Sequence, residues 1–215
     1  MAALGFVIVA MDGRGTPGRD KLFHDASYGN YAAAGALDDH VAALRQLAAK
    51  RPWMDLDRVG AFGHSGGGFA TVRALLDHPD VYRVGVAESG NHDNRLFHLQ
   101  VAEAYDGLDP AAWARSSNVE RAAELQGKLL LIHGAVDDVV HVHHTMRLAE
   151  RLIIADKDFE LLVVPGAEHF FIGYEHHVNR RKWDFLLRNL MGVEPPEHSL
   201  TPVTPSLELI SRLFD

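Results

Sequence analysis

The 215-residue chain has 21 Lys and Arg against 29 Asp and Glu, a formal net charge of −8, and it contains 14 His and no Cys. Its 47% hydrophobic and 23% charged residues are typical of a globular protein and exclude a disordered or fibrous chain. The lack of Cys excludes a disulfide scaffold, a thiol nucleophile and a Cys-based zinc site. The acidic balance argues against nucleic acid or an anionic membrane as a partner.

The first eleven residues are apolar but do not have the pattern of a signal peptide. They lack a basic region and run into a Gly-rich turn at Gly13 and Gly15, with no small-residue cleavage site. No apolar stretch reaches the roughly 20 residues that span a bilayer. We therefore expect a soluble protein, cytoplasmic unless a segment upstream of Met1 is missing.

Five short apolar runs are predicted to be strands. They are rich in Val, Ile, Leu or Phe, and each ends at a turn. In chain order they are Gly5–Met11, Arg58–Phe62, Val84–Glu88, Lys128–His133 and Phe159–Val164. Runs that are apolar almost throughout are typical of parallel strands buried on both faces.

Helical patterns separate most of these runs. The predicted helices are Ala36–Leu47, Phe69–Leu76, Thr145–Ile154 and Arg181–Leu190. Alternating strands and helices predict an α/β fold, with a mostly parallel sheet flanked by helices. We expect one domain over residues 1–191, with a helical insertion at about 91–124, and an extended, Pro-rich arm over 192–215.

A candidate nucleophile follows the second run. Residues 63–67 read Gly-His-Ser-Gly-Gly and lie between the strand ending at Phe62 and the next helix, the context of a nucleophile elbow. Small residues are needed there because the turn is strained and the backbone passes close to itself. We predict Ser65 as the nucleophile and the Gly66 N–H as an oxyanion donor. The alternative is a plain Gly-rich turn.

Partners for a serine nucleophile follow the last two runs. A serine hydroxyl needs a base that is itself oriented by an acid, and on this topology the order is Ser, acid, His. Asp137 and Asp138 follow the fourth run, and His169 follows the fifth. Strand ends of a parallel sheet share one edge, so Ser65, one of the two Asp and His169 are expected to meet. Taken singly, the Asp could cap a helix and the His could be a loop residue.

Five segments together resemble the catalytic domain of the prolyl oligopeptidase family, especially its dipeptidyl-peptidase and acylaminoacyl-peptidase branches. They are Asp12–Gly15, Asp57–Gly60, Gly63–Gly67, Leu130–Asp138 and Pro165–His169. The resemblance implies an α/β-hydrolase fold and a serine peptidase that cleaves peptide bonds. It also implies that Asp137 is the catalytic acid and that Asp138 shapes the turn.

The chain departs from that family in its first part. The resemblance implies a β-propeller and first strands that are absent here, together with the loop that supplies a second oxyanion donor. One missing strand would separate Gly5–Met11 from Arg58–Phe62. An unfilled gap leaves apolar sheet edges open, which favours association. We therefore expect a homo-oligomer, strand exchange, or a fragment of a longer protein.

The predicted substrate-binding residues are His64, Phe97, Val101, Val139 and Val140. The resemblance implies a Tyr where Val101 stands and an Asn where Val139 stands. The pocket stays apolar but loses a hydrogen bond, which disfavours a proline preference. Simple helix packing is the alternative for the stretch that contains Phe97 and Val101.

A His-rich stretch contains His141, His143 and His144, and two more His follow at 176 and 177. His at short spacing can bind zinc, but no carboxylate or Cys completes a recognisable set, so we expect no metal and no cofactor. The substrate is expected to be a peptide or a small acyl compound. A carboxylesterase acting on small esters, or an inactive hydrolase-fold fragment serving as an interaction module, are the alternatives.

Overall fold

The structure is a computed structural model that describes residues 1–33 and 35–202. From residue 203 onward, the predicted 192–215 arm lies outside the described residues. Four parallel strands form one sheet in the order β1-β2-β3-β4. They are Val59–His64 (β1), Tyr82–Glu88 (β2), Lys128–Gly134 (β3) and Glu160–Val164 (β4).

Helices flank this sheet and connect its strands. The α-helices of the described residues are Lys21–His24 (α1), Leu37–Ala49 (α2), Gly66–Asp77 (α3), Leu99–Asp106 (α4), Pro110–Arg115 (α5), His143–Ile154 (α6) and Glu175–Leu186 (α7). Short 3₁₀ turns cover Ala2–Leu4, Asp25–Ser27, Tyr31–Ala33, Asn94–Leu96 and Ala122–Glu124, and a π-helical turn, Leu187–Met191, follows α7.

Both faces of the sheet are buried, as β3 illustrates. Leu129 and Leu131 join a cluster with residues of α2, α3 and α6, whereas Leu130 and Ile132 join a second cluster with residues of α7. All four side chains are at most 1% exposed. Alternate side chains of a strand point to opposite faces, so a strand between two helical layers must be apolar throughout.

Four of the five predicted strands are confirmed, with boundaries that differ by one or two residues. The predicted helices Phe69–Leu76 and Thr145–Ile154 lie inside α3 and α6, and Ala36–Leu47 overlaps α2 almost completely. The predicted Arg181–Leu190 helix spans the end of α7 and most of the π-helical turn. Periodicity located these elements because each one packs on the sheet.

The predicted strand Gly5–Met11 is wrong, because this run has no regular secondary structure. The backbone N–H groups of residues 6–11 make no hydrogen bond to any described residue. A strand exists only when it pairs with a neighbour, and none of the described strands lies beside this run. A cavity of about 570 Å³, lined by both Gly5–Met11 and the free edge of β1, occupies the place of a neighbour.

The segment 91–124 contains α4, α5 and two 3₁₀ turns, and buried polar groups attach it to the rest of the fold. The Asp106 carboxylate accepts the Tyr31 N–H at 2.7 Å and the Ser116 hydroxyl at 3.1 Å. The Asn118 side chain donates to the Phe69 carbonyl on α3 at 3.1 Å. The Asn118–Phe69 hydrogen bond ties the segment to α3, and the Asp106–Tyr31 hydrogen bond ties it to the 3₁₀ turn Tyr31–Ala33.

Candidate active site

The sheet register aligns the strand ends that carry the candidate residues. His64 pairs with Glu88 of β2, and Gly134 of β3 pairs with Val164 of β4. The Ser65 N–H extends the first ladder by donating to the Glu88 carbonyl at 2.8 Å. The turns that follow β1, β3 and β4 therefore open at the same carboxyl edge of the sheet.

Ser65 occupies a strained turn between β1 and α3. Its φ of 58° and ψ of −119° are uncommon for a residue other than glycine. A Cβ atom at Gly63 would overlap the Gly67 carbonyl, and one at Gly68 would lie 2.5 Å from the Glu88 carbonyl oxygen. The glycines are therefore required for this turn to form, and the turn has the geometry of a nucleophile elbow.

The Gly66 N–H at the start of α3 is available as a donor. It makes no hydrogen bond to any described residue. It also lies at the N-terminus of α3, where the positive end of the helix dipole favours a negative charge nearby. The Tyr31 hydroxyl lies 3.3 Å from the position that a Gly66 Cβ would occupy, and the Asn91 amide donates to that hydroxyl at 2.9 Å. Burial raises the pKa of Tyr31 to about 12, so the hydroxyl stays protonated.

Asp137 and His169 are joined at the same edge. The His169 Nδ1–H donates to Asp137 Oδ2 at 2.8 Å, and Asp137 Oδ1 accepts the N–H groups of Val139 at 3.0 Å and Val140 at 2.8 Å. Burial alone would raise the pKa of Asp137, but hydrogen bonds from His133, His169 and the Val140 N–H outweigh it and hold this pKa well below its usual range. The carboxylate is therefore charged and fixed in orientation.

His133 is a further member of this network that the sequence reasoning missed. Its side chain has no exposed surface, and Nδ1 lies 2.7 Å from the Thr145 hydroxyl. Nε2 lies 2.8 Å from the Val140 carbonyl oxygen and 3.3 Å from Asp137 Oδ2. Both neighbours of Nε2 can only accept, so Nε2 carries the proton and Thr145 donates to Nδ1. A lone His at the end of an apolar strand was the signal available in the sequence.

His64 points toward the loop that carries His169. Its Nε2–H donates to the His169 carbonyl at 2.8 Å, and the two imidazole rings lie 4.5 Å apart. The Ser89 hydroxyl donates to the same carbonyl at 3.4 Å. Burial lowers the pKa of His64, which keeps its ring neutral. The structure thus places His64 against the His169 backbone, and its contact with substrate stays a prediction.

No hydrogen bond joins the Ser65 hydroxyl to the His169 ring in this structure. Ser65 Oγ makes no hydrogen bond to any residue of the described ranges, whereas the Asp137–His169 hydrogen bond is complete. Hydrogen bonds of this kind are often long or absent without substrate and form in the reacting complex. The three residues share the sheet edge, but only Asp137 and His169 are joined by a hydrogen bond.

The other predicted pocket residues lie on two elements. Phe97 precedes α4, and its ring is 5.8 Å from the ring of His144 at the start of α6. Val101 lies on α4 and is half-buried. Val139 is 41% exposed beside Asp137, but the Val140 side chain is fully buried and its backbone holds Asp137 and His133. Substrate binding by these four residues stays a prediction.

Glu88 is the last residue of β2 at this edge of the sheet, and its carboxylate forms an ion pair with Lys182. Its carboxylate lies 2.7 Å from the Lys182 ammonium, and both side chains are largely buried. The same ammonium lies 5.7 Å from the centre of the Phe62 ring. Glu88 is therefore a structural carboxylate that ties α7 to the sheet.

The three His of the His-rich stretch differ in their burial. The rings of His141 and His143 lie 4.7 Å apart, whereas His144 is fully buried, and burial lowers its pKa to about 4. Within residues 1–33 and 35–202, no group of three or more His, Asp or Glu side chains could hold a metal ion. No helix in the same ranges is long and apolar enough to cross a membrane.

The parallel sheet, the helices on both of its faces and the strained turn after β1 define an α/β-hydrolase fold. Solved structures agree: the dipeptidyl peptidase 4 of Porphyromonas gingivalis superposes with a TM-score of 0.78 at 29% identity, over 83% of this chain and 26% of that chain. A putative dipeptidyl aminopeptidase IV from Bacteroides ovatus gives the same TM-score of 0.78 at 25% identity.

The chain belongs to the prolyl oligopeptidase family, whose sequence model matches residues 1–192. Human dipeptidyl peptidase 8 is 31% identical over 179 residues, which cover 79% of this chain and 19% of that protein. The probable dipeptidyl-aminopeptidase B of Pyrenophora teres f. teres is 31% identical over 191 residues, covering 86% of this chain and 21% of that protein. The chain thus spans about a fifth of the length of these relatives.

Proposed function

We propose that this chain is a serine peptidase domain in which Ser65, His169 and Asp137 act as nucleophile, base and orienting acid. The observation that carries the proposal is the 2.8 Å hydrogen bond between His169 Nδ1 and Asp137 Oδ2, at the sheet edge where Ser65 holds a positive φ. Serine hydrolases need a nucleophile on such a turn, and the buried, charged Asp137 is suited to stabilise an imidazolium.

In the proposed reaction, Ser65 Oγ attacks the carbonyl carbon of the scissile bond while His169 Nε2 takes the hydroxyl proton. His169 Nδ1–H stays bonded to Asp137, and the oxyanion faces the Gly66 N–H. His169 then gives the proton to the leaving amine, which departs and leaves an acyl group on Ser65. A water molecule, deprotonated by His169, cleaves that ester and regenerates the hydroxyl.

Peptides are the proposed substrate class because the relatives are named dipeptidyl peptidases and dipeptidyl-aminopeptidases. An esterase activity is the second candidate, and a specific observation favours it. Gly66 provides the one oxyanion N–H that we identify at the elbow within the described residues. Loss of one such donor costs about 10²–10³ in rate, so activated esters should be cleaved more readily than amides.

The test compares an aminoacyl p-nitroanilide with p-nitrophenyl acetate, using the wild type, Ser65→Ala and the exposed-site control Ser199→Ala. We expect Ser65→Ala to abolish both activities and Ser199→Ala to keep them. Ester cleavage alone would favour the esterase. Activity that is absent from the folded wild type, or unchanged in Ser65→Ala, would contradict the proposed centre and favour an inactive module.

A further inference from the structure

The Asp137 carboxylate has two N–H donors beside each of its oxygen atoms. Oδ1 accepts the backbone N–H groups of Val139 at 3.0 Å and Val140 at 2.8 Å. Oδ2 lies 2.8 Å from His169 Nδ1 and 3.3 Å from His133 Nε2. A carboxylate offers about four lone-pair sites, so each site of Asp137 has a donor and the group cannot rotate without losing one of them.

The two imidazoles beside Oδ2 have different positions in the fold. His169 lies in the loop after β4, and the proposed reaction uses its Nε2. His133 lies inside β3, and its side chain has no exposed surface. A substrate therefore cannot touch His133, and any effect of this residue on the reaction must pass through the groups that its ring contacts.

The partners of the His133 ring fix its orientation. The Thr145 hydroxyl donates to Nδ1 at 2.7 Å, and the Nε2–H faces the Val140 carbonyl and Asp137 Oδ2. Turning the ring over would place carbon atoms against the Thr145 hydroxyl and the Val140 carbonyl. Buried polar groups that lose their partners destabilise a fold, so the Nε2–H is a donor of fixed position.

The same N–H group connects both ends of the turn that carries Asp137. It donates to the Val140 carbonyl at 2.8 Å, while the Val140 N–H donates to Asp137 Oδ1. The side chains between these two residues, Asp138 and Val139, are exposed. The turn is therefore open to solvent on its outer side, and His133 holds it from the interior.

We propose that His133 is a positioning residue of the active site, whose Nε2–H holds Asp137 in the orientation that directs Oδ2 at His169 Nδ1. This inference rests on the proposed serine-hydrolase function. Displacing a catalytic group by about 1 Å can cost about 100-fold in rate, and three of the four donors remain without His133. Loss of the His133 N–H should therefore lower kcat by about 10- to 100-fold and leave KM within about threefold.

Steady-state hydrolysis of p-nitrophenyl acetate by three variants tests the role. His133→Leu removes the donor, whereas the amide nitrogen of His133→Gln reaches the place of Nε2 and should recover at least about tenfold of the lost kcat. His92→Leu is the matched control. His92 is also fully buried, and neither of its ring nitrogens is hydrogen-bonded to Asp137 or His169. We expect it to keep kcat within about threefold, because it acts on none of the reacting groups.

Nuclear magnetic resonance of protein with isotope-labelled His gives a readout that does not depend on catalysis. The His133 signals are assigned by their loss in His133→Gln, and we expect a proton on Nε2 and none on Nδ1. The His169 Nδ1–H proton should resonate far downfield, because it is bonded to a carboxylate. This resonance should shift or broaden in His133→Leu, recover in His133→Gln and stay unchanged in His92→Leu.

Four results would overturn the positioning role: unchanged kcat in folded His133→Leu, no recovery in His133→Gln, an equal loss in His92→Leu, or a His133 ring protonated at Nδ1. If His133→Leu does not fold, His133→Asn replaces it, since the shorter amide leaves the place of Nε2 empty. If the wild type hydrolyses no substrate, the proposed function fails and the His169 resonance decides alone. A resonance that is the same in wild type and folded His133→Leu then contradicts the role, and a change specific to His133→Leu supports it.

Discussion

Asp137→Asn, compared with Asp138→Asn, tests the proposed role of the buried acid. Asp137 is 2% exposed and accepts from His169 at 2.8 Å, whereas its neighbour Asp138 is exposed. At an effective dielectric constant of about 20, opposite charges 2.8 Å apart attract by about 6 kcal/mol. This attraction stabilises the imidazolium that forms in the transition state, so removing the charge should lower kcat by about 10⁴-fold.

The assay is the steady-state hydrolysis of p-nitrophenyl acetate by both variants and by Ser65→Ala as the blank. We expect Asp138→Asn to retain kcat within about threefold, because its side chain is exposed and makes no hydrogen bond to His169 or Ser65. Circular dichroism and urea unfolding establish that Asp137→Asn is folded. A loss of less than tenfold in folded Asp137→Asn, or a larger loss in Asp138→Asn, would refute the assignment.

Three further predictions concern stability, each measured by urea unfolding. The pKa of the buried His144 is lowered from 6.5 to about 4, so on acidification the unfolded chain takes up this proton before the folded chain does. His144 should therefore contribute on the order of 1–2 kcal/mol to the stability lost between pH 7 and pH 5, and His144→Leu should reduce the loss by about that amount. Gly63→Ala should cost more than about 2 kcal/mol, since its Cβ meets the Gly67 carbonyl, whereas Gly67→Ala, whose Cβ meets nothing within 4 Å, should not destabilise. Lys182→Met should cost about 3 kcal/mol by leaving Glu88 buried and unpaired, and the Glu88→Gln/Lys182→Met double variant should recover much of that loss.

Local sequence patterns were sufficient for the sheet and for the placement of the elbow. The turn at Ser65 needs glycines at fixed offsets, and such a requirement is visible in a short stretch of sequence. The positions of Asp137 and His169 followed from one general rule, that parallel strands end at a common edge. Their hydrogen bond agrees with that reasoning, while their catalytic role remains a prediction.

Contacts between residues that are far apart in the sequence could not be predicted from local sequence patterns. Gly5–Met11 has the composition of a strand, but whether it pairs depends on a neighbour that the local pattern cannot reveal. The position of Tyr31 beside Gly66 depends on Asn91, 60 residues later in the chain. The packing of His64 against the His169 carbonyl likewise joins residues 105 positions apart.

The most direct test of the central claim is labelling of the folded chain with a fluorophosphonate, followed by peptide mass spectrometry. A Ser hydroxyl reacts with this reagent when a base and an oxyanion site activate it. We predict one adduct per chain, on the peptide that contains Ser65, and no adduct in Ser65→Ala. Folded wild-type protein that remains unlabelled, or that is labelled at another residue and equally in Ser65→Ala, would contradict the account.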